Sequence, residues 1–459
     1  MSEQATFSLI NLGCPKNTVD SEGLMATMAL AGFAWTPEPM EADVCLVNTC
    51  GFLEASRAEA EGVLRELAEK RGEGEGPAIV ATGCAVERAA GGAGPWRGLE
   101  VADALVGFAD YPRIADICRG AVRARRAKGY GEGRRLPKGY MEWLAGPRML
   151  INPKSVYLKL GEGCSNCCNY CTIPLIRGRR ASRPEGELVE EAARLAEGGA
   201  REINLIAQDV TAYGMDRGEG AAGKGSPFAR LLRRILAALP AEGVRVRVLY
   251  AHPRHLTEEV VEAMAGDARV CPYLDLPLQH VADGVLARMG RGYGEALTRR
   301  CVEGLKRRWK GMALRSTFIV GHPGEGEAEF ERLVKFTEEG WIDHLGVFEW
   351  SPEPGTKSAR MRTGRVPPEV AAERRERVMA VQARVSRRLL KRRVGGEAWF
   401  FAEERRADGG WAGRLDIQVP EVDGRTFVPG GSRGLRLGEW SRVTVTGVKG
   451  AYDLVATRK

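Results

Sequence analysis

No stretch of the sequence approaches the roughly eighteen uncharged apolar residues that a membrane span needs. The first residues, MSEQATFSLINLGCPKN, hold no basic segment followed by an apolar stretch. No secretory signal is read there, and a cytoplasmic protein without a membrane partner is expected. Histidine is scarce: the five residues His252, His255, His280, His322 and His344 all fall in the middle of the chain. None has the helical HExxH spacing of a zinc site, and a lone histidine is more often a packed or surface residue than a ligand. Charge of one sign is also lacking, because 68 basic and 60 acidic residues leave only +8. That excess permits contact with RNA or a ribosome without establishing it. With 44% hydrophobic and 28% charged residues, wholesale disorder is excluded. The 459 residues suggest about three domains. Cysteine is not scarce. The 11 cysteines are an odd number in a chain with no signal, which does not read as a disulfide framework. Metal or redox chemistry becomes the leading reading for some of them.

The fold class expected is an α/β multidomain chain. Up to about residue 147, the apolar runs FSLINLG, DVCLVNT and PAIVATG alternate with helical patterns such as SEGLMATMALAGFA. This pattern points to an α/β domain with a mostly parallel sheet. The stretch from Arg119 to Arg148 has nine basic residues against Glu132 and Glu142, and reads as a linker or exposed connection. From 151 to 390, six strand candidates follow: SVYLKLG, EINLIAQ, RVRVLYA, YLDLPLQ, LRSTFIV and HLGVFEW. Repeated βα units of this kind suggest a partial (βα)6 barrel. Val366 to Val394 reads as one long basic helix opened by Pro367 and Pro368. From 394 to 459, AWFFAEE, DIQVP, RTFVPG, SRVTVTGV and YDLVATR predict a small antiparallel β-barrel. Its ten basic and nine acidic residues leave no strong electrostatic footprint for RNA.

Cys164, Cys168 and Cys171 form CxxxCxxC just after the first strand of the middle segment. Three close thiolates suit an iron–sulfur cluster with one iron left open to a substrate or cofactor. A zinc site using Cys167, or buried unliganded thiols, is the alternative. Structural zinc wants four ligands, and no second CxxC pair follows. In a parallel barrel the active site lies at the C-terminal strand ends. Polar residues stand there: Gln208 and Asp209, Gln279 and His280, then Glu349. In the N-terminal segment Cys14, Cys50 and Cys84 each follow a strand candidate. The C-terminal edge of an open α/β sheet is where ligands bind. Each of the three is equally readable as a small buried hydrophobe. Cys45 inside a strand and Cys118 inside a helix read as structural, and Cys271 and Cys301 carry no metal spacing. TFIVGHPGE places a glycine-rich turn after a strand.

Taken together, these residues resemble the methylthiotransferase family of radical S-adenosylmethionine (SAM) enzymes. NLGCPKNTVDSE, VNTCGF and TGCAVER are similar to the family's N-terminal cysteine blocks, and GEGCSNCCNYCTIPLIRGRRASRP to its cluster block. TFIVGHPGE also matches, and the terminal barrel resembles a TRAM domain. GCPKN, QDVTAYG, DLPLQH and VPEVDG favour the branch that modifies an aspartate of the twelfth small-subunit ribosomal protein. The branch acting on adenosine in transfer RNA is the alternative. His322, Cys167 and Cys45 depart from the family pattern.

The resemblance implies two [4Fe–4S] clusters and SAM as cofactors. One cluster would be held by Cys164, Cys168 and Cys171, and the other by Cys14, Cys50 and Cys84. It implies reductive cleavage of SAM, hydrogen abstraction from the β-carbon of the aspartate, and insertion of a methylthio group there. Gln208 and Arg315 are the cofactor-binding candidates, each equally readable as a structural hydrogen-bonder. An electron donor such as flavodoxin or ferredoxin and a monomeric state are expected. The domains expected are 1–147, an N-terminal methylthiotransferase domain with the auxiliary cluster; 151–390, a radical-SAM domain; and 394–459, a TRAM-like substrate-docking domain. Trp399, Trp411 and Trp440 are docking candidates, or fill the barrel core.

Overall fold

Five parallel strands open the fold: β1 (Thr6–Asn11), β2 (Ala34–Trp35), β3 (Val44–Thr49), β4 (Ala78–Gly83) and β5 (Ala104–Val106). They lie in the order β2-β1-β3-β4-β5, so the winding direction reverses between β1 and β3. The structure is a computed structural model and describes residues 4–72, 76–91, 98–124, 138–219, 225–420 and 422–458. Every residue of β3 and β4 is buried, as expected for parallel strands covered on both faces. Helices α1 (Pro15–Leu30), α2 (Glu54–Arg71), α3 (Cys84–Ala90), α4 (Ile114–Ala124) and α5 (Lys138–Leu144) complete this part. Proline at its start pre-sets the backbone of α1.

The three apolar runs expected as strands are β1, β3 and β4. β2 and β5 have only two and three residues, too short to show a periodicity. The segment read as a linker from Arg119 to Arg148 is corrected at its ends, where α4 and α5 are helical. Its central residues 125–137 lie outside the described residues. The reason α5 forms is packing: the rings of Tyr140 and Trp143 lie 5.9 and 4.9 Å from that of Tyr111.

The chain divides into two compact units that interleave along the sequence. The first consists of Met1–Ile151, Gly161–Arg183 and Ser351–Ala359; the second consists of Asn152–Leu160, Pro184–Trp350 and Arg360–Lys459. β6 (Ser155–Lys159) therefore belongs to the second unit, whereas β7 (Gly161–Glu162), α6 (Ile173–Ile176) and β8 (Ala181–Ser182) belong to the first. β7 and β8 pair antiparallel and close the base of the loop 163–180.

In the second unit β6 is followed by β9 (Glu202–Ile206), β10 (Arg245–Val248), β11 (Val270–Asp275), β12 (Ala313–Val320) and β13 (His344–Glu349). These six strands make one parallel sheet in chain order, β13-β12-β11-β10-β9-β6, the partial barrel that the repeated βα pattern predicts. The long helix spans Pro368–Lys391. The terminal strands β14 (Glu397–Arg405), β15 (Trp411–Leu415), β16 (Thr426–Val428), β17 (Trp440–Lys449) and β18 (Asp453–Thr457) form a closed barrel.

One expected strand of that barrel is misplaced. DIQVP is not extended into the sheet; the strand is the preceding Trp411–Leu415. The cause is Gln418, whose side-chain oxygen accepts from Leu415 N at 2.8 Å and whose amide nitrogen donates to Gly424 O at 2.6 Å. These bonds hold the chain in a turn. Among the described residues, no helix is long and apolar enough to cross a membrane.

Candidate active site

The first unit brings Cys14, Cys50 and Cys84 together. β1, β3 and β4 are neighbours, with Asn11 opposite Asn48 and Thr49 opposite Gly83. Adjacent strands lie about 4.8 Å apart. Cys14 caps α1, Cys50 follows β3 directly, and Cys84 is the first residue of α3. Glycines make the approach possible. A Cβ on Gly13 would come within 3.0 Å of Cys50 Cβ, and one on Gly51 within 2.5 Å of Cys84 O. Gly83, at φ +94°, would meet Thr49 O at 2.6 Å. Such contacts leave no room for any side chain larger than hydrogen. Burial pushes the Cys84 thiol up to about 12, against the opposing charge of Arg177, and burial also raises Cys50. Thiols in this setting stay protonated until a metal ion displaces the proton.

Asparagines tie the loops of this edge. Asn17 Nδ2 donates to Leu12 O and Thr49 O, both at 3.0 Å. Asn48 Nδ2 donates to Asn17 O and Ser21 Oγ, both at 2.9 Å. Nothing local signals these bonds beyond the fact that Asn17 and Ser21 stand at helical spacing from Cys14.

Cys164, Cys168 and Cys171 are all half-buried on the loop closed by β7 and β8. The backbone is anchored by Cys164 N donating to Gly178 O at 3.1 Å and Cys171 N to Cys168 O at 3.2 Å. Ile173 N donates to Cys171 Sγ at 3.5 Å. Cys167 is exposed, at φ +54°, and its thiol donates to Ser165 O at 3.5 Å. The left-handed backbone explains how two adjacent cysteines can face differently. Cys45, pushed up to about 12 by burial, and Cys118 are buried.

Within the same unit, Arg177 follows α6 and is 1% exposed at its side chain. Its guanidinium reaches Glu162, Asp20, Asn17 and Cys84. Glu353 is a second buried junction, accepting from Arg57 at 2.6 Å and facing Arg88 at 2.8 Å. Neither Arg177 nor Glu353 stands out from the sequence, because Arg177 finds Asn17 and Asp20 across 160 and 157 positions and Glu353 finds Arg57 across 296.

In the second unit Gln208 lies half-buried, two residues beyond the last residue of β9. Arg315 is only the third residue of β12, paired with Asp275 at 3.1 Å and Asp423 at 3.5 Å. Those two carboxylates raise its pKa despite burial and tie the 422–425 segment to the sheet. A cluster that the sequence did not flag joins Asp209, His252 and His255. His255 Nδ1 lies 2.8 Å from Asp209 Oδ2, and Thr211 Oγ1 donates to Asp209 Oδ1 at 2.7 Å. Loop distance hides it: Asp209 follows β9 and both histidines follow β10.

The C-terminal strand ends carry strained backbone and orphaned polar atoms. Tyr250 and Gln279 have φ of +66° and +72°. His252 Nε2, His280 Nε2 and Gln279 Oε1 are buried without a hydrogen-bond partner. In both histidines Nδ1 accepts a backbone N–H, from Arg254 at 3.3 Å and Ala282 at 3.0 Å, which leaves the proton on Nε2. Burial pushes His252 down to about 2 and His280 to about 3, so both are neutral. Strain and unsatisfied groups of this kind cluster where ligands bind. His322 is buried against the Trp350 ring, 5.9 Å between centroids, and burial holds it down to about 4.

The three tryptophans named as docking or core candidates all find partners within their own unit. Trp440 Nε1 donates to Arg201 O at 2.8 Å, and Arg245 stacks on Trp399 at 4.7 Å and Trp440 at 5.5 Å. Both rings are occupied by their own unit. Trp411 is 9% exposed and fills the barrel wall.

The family model described as Radical SAM superfamily matches residues 158–337, and that described as TRAM domain matches 394–458. Uncharacterized protein family UPF0004 matches 6–94. The fold is similar to that of TsrM from Kitasatospora setae, a radical S-adenosylmethionine methyltransferase, with a TM-score of 0.50 and 14% identity over 75% of each chain. These matches define the class as a radical-SAM enzyme. The ribosomal protein uS12 methylthiotransferase RimO of Desulforudis audaxviator is 41% identical, over 99% of this chain and 97% of that protein. Those of Symbiobacterium thermophilum and Geobacter sulfurreducens are 39% and 37% identical, over 97% and 98% of this chain and 89% and 97% of theirs. The chain belongs to the RimO family of methylthiotransferases.

Proposed function

We propose that this protein adds a methylthio group to the β-carbon of an aspartate in ribosomal protein uS12. The observation that carries the reading is near-full-length identity of about 40% to uS12 methylthiotransferases in a chain that retains two separate cysteine triads. Cys164, Cys168 and Cys171 would hold the [4Fe–4S] cluster that binds SAM. Cys14, Cys50 and Cys84 would hold the second. The residues fit such groups: each set offers three sulfurs, one fewer than structural zinc requires, and glycines leave a cradle around the N-terminal set. When bound, the clusters and SAM supply one-electron cleavage chemistry and the sulfur and methyl groups, which side chains alone cannot supply.

The protein's own part is to bind, orient and exclude water. The loop 163–180, closed at its base by β7 and β8, carries the three cysteines of the first set. Gln208, two residues past β9, is the proposed SAM-pocket residue. Neutral His252 and His280 offer Nε2–H groups to an uncharged or anionic acceptor without introducing a mobile proton. Domain roles follow the division 1–147, 151–390 and 394–459, with the near-neutral terminal barrel docking a protein substrate. A cytoplasmic monomer reduced by a flavodoxin or ferredoxin completes the reading.

The test is the intact mass of uS12 from cells with and without this gene. A gene-dependent gain of one methylthio group on an aspartate is expected. An unchanged mass in cells whose enzyme carries both clusters would sink the ribosomal assignment, and the methylthio content of transfer RNA would then decide the alternative.

A further inference from the structure

Arg177 stands six positions after Cys171, yet its side chain ends at Cys84 of the other cysteine set. Nε donates to Cys84 Sγ at 3.2 Å, Nη1 to Glu162 Oε2 at 2.6 Å, and Nη2 to Asn17 Oδ1 at 2.8 Å and Asp20 Oδ2 at 2.9 Å. The Phe108 ring covers it, 4.6 Å from ring centre to the guanidinium carbon. Tyr140 supports the far side, its hydroxyl 2.7 Å from Asp20 Oδ1 and 3.1 Å from Glu162 Oε2.

We propose that Arg177 is a positioning residue that sets the reduction potential of the N-terminal cluster through its hydrogen bond to Cys84. This rests on the reading that Cys14, Cys50 and Cys84 hold that cluster. Two carboxylates would already neutralise the guanidinium; the Nε–H on sulfur is a further bond that charge pairing does not require. Its site is buried, where a fixed dipole and charge act on the sulfur with little screening. Hydrogen bonds to cluster sulfurs and nearby positive charge favour the more negative, reduced state, and so raise the potential. Asp20 opposes that field from the other side of the fork. Lysine at 177 would keep a charge but could not span acceptors arranged for a planar fork.

The experiment is an EPR-monitored potentiometric titration of the full chain with both clusters loaded, in wild type, Arg177→Lys and Asp20→Asn, with iron counted for each. The N-terminal signal is identified as the one that survives replacement of Cys164, Cys168 and Cys171 by alanine. In Arg177→Lys its one-electron reduction equilibrium is expected to fall roughly tenfold, a shift of about 59 mV to more negative potential. Asp20→Asn is expected to move it the opposite way, with the other cluster unmoved. An Arg177→Lys protein that keeps about eight irons per chain and an unshifted N-terminal potential overturns the proposal. If that variant loses the cluster, Asp20→Asn decides, and an unshifted potential in a fully loaded Asp20→Asn protein overturns it as well. A wild type that binds only about four irons sinks the cluster assignment to Cys14, Cys50 and Cys84 instead.

Discussion

Arg414 of β15 grips the carboxylate of Glu202, the first residue of β9, with both arms of its guanidinium: Nη1 donates to Oε1 at 2.8 Å, and Nη2 donates to Oε2. Ser155 Oγ donates to the same carboxylate at 2.7 Å and Arg247 Nε donates at 3.1 Å. Burial alone would raise the Glu202 pKa, but Arg414 and Arg247 outweigh it and hold the group down to about 2. The terminal barrel is thereby fixed to the six-stranded sheet by a buried, charge-assisted pair.

Removing one partner leaves a poorly compensated buried charge. Arg414→Met is expected to cost about 3 kcal/mol of stability. The measurement is the urea midpoint at pH 7, with limited proteolysis between the long helix and β14 as a second readout. A carboxyl with a depressed folded pKa stabilises above its unfolded pKa of about 4.3, and that contribution is lost as pH falls toward 2. The difference between wild type and variant should therefore narrow on acidification. A midpoint that does not move at pH 7 would contradict the assignment.

His252, His280 and His322 are held down to about 2, 3 and 4 by burial. The unfolded chain takes up protons on them below about pH 6.5, while the folded chain does not. Stability contributed by these groups is present above that pH and falls as the solution is acidified toward their folded values. The apoprotein's melting temperature should drop between pH 7 and 5, and the three imidazole resonances should show no titration in that window by NMR.

Gly83→Ala would force a Cβ against Thr49 O at a backbone angle of φ +94°. Strain of this kind costs on the order of 1–3 kcal/mol. The variant is expected to fold but to carry about four irons per chain rather than about eight, because the end of β4 can no longer bring Cys84 to its partners. Full iron loading would show that the glycine is not required for the approach.

Cys167 and Cys168 are adjacent but differ in exposure and backbone angle. Cys167→Ser should leave iron content and the visible absorption of reconstituted protein unchanged. Cys168→Ser should remove one cluster, roughly half the iron. The reverse result would reassign the ligand.

Strands with continuous apolar runs could be read directly from the sequence, as β3 and β4 show. β2 and β5 could not, since two or three residues carry no period. β15 is displaced from its expected position because the apolar alternation of DIQVP looks extended, whereas the Gln418 side chain holds that segment in a turn. The cysteines were visible as residues, and their convergence followed from the parallel order of β1, β3 and β4. The residues around them were not visible. Arg177 meets Asp20 over 157 positions and Glu353 meets Arg57 over 296, and no local spacing encodes such pairings. His252 looked like one more isolated histidine because its neighbour Asp209 belongs to a different strand end.

The first unit is woven from three pieces of chain, the last of them Ser351–Ala359. Arg88 faces Glu353 at 2.8 Å, both nearly excluded from solvent. During synthesis, then, the N-terminal sheet emerges long before the residue that neutralises Arg88 exists. The unit cannot complete its native contacts until translation has passed Ala359, roughly three quarters of the way through the chain. Domains usually fold in the order in which they leave the ribosome; here the first to emerge must wait for Ser351–Ala359, a segment made long after its other pieces. Iron delivered to Cys14, Cys50 and Cys84 before that point would meet an unfinished frame, so cluster assembly belongs after Ser351–Ala359 has been made.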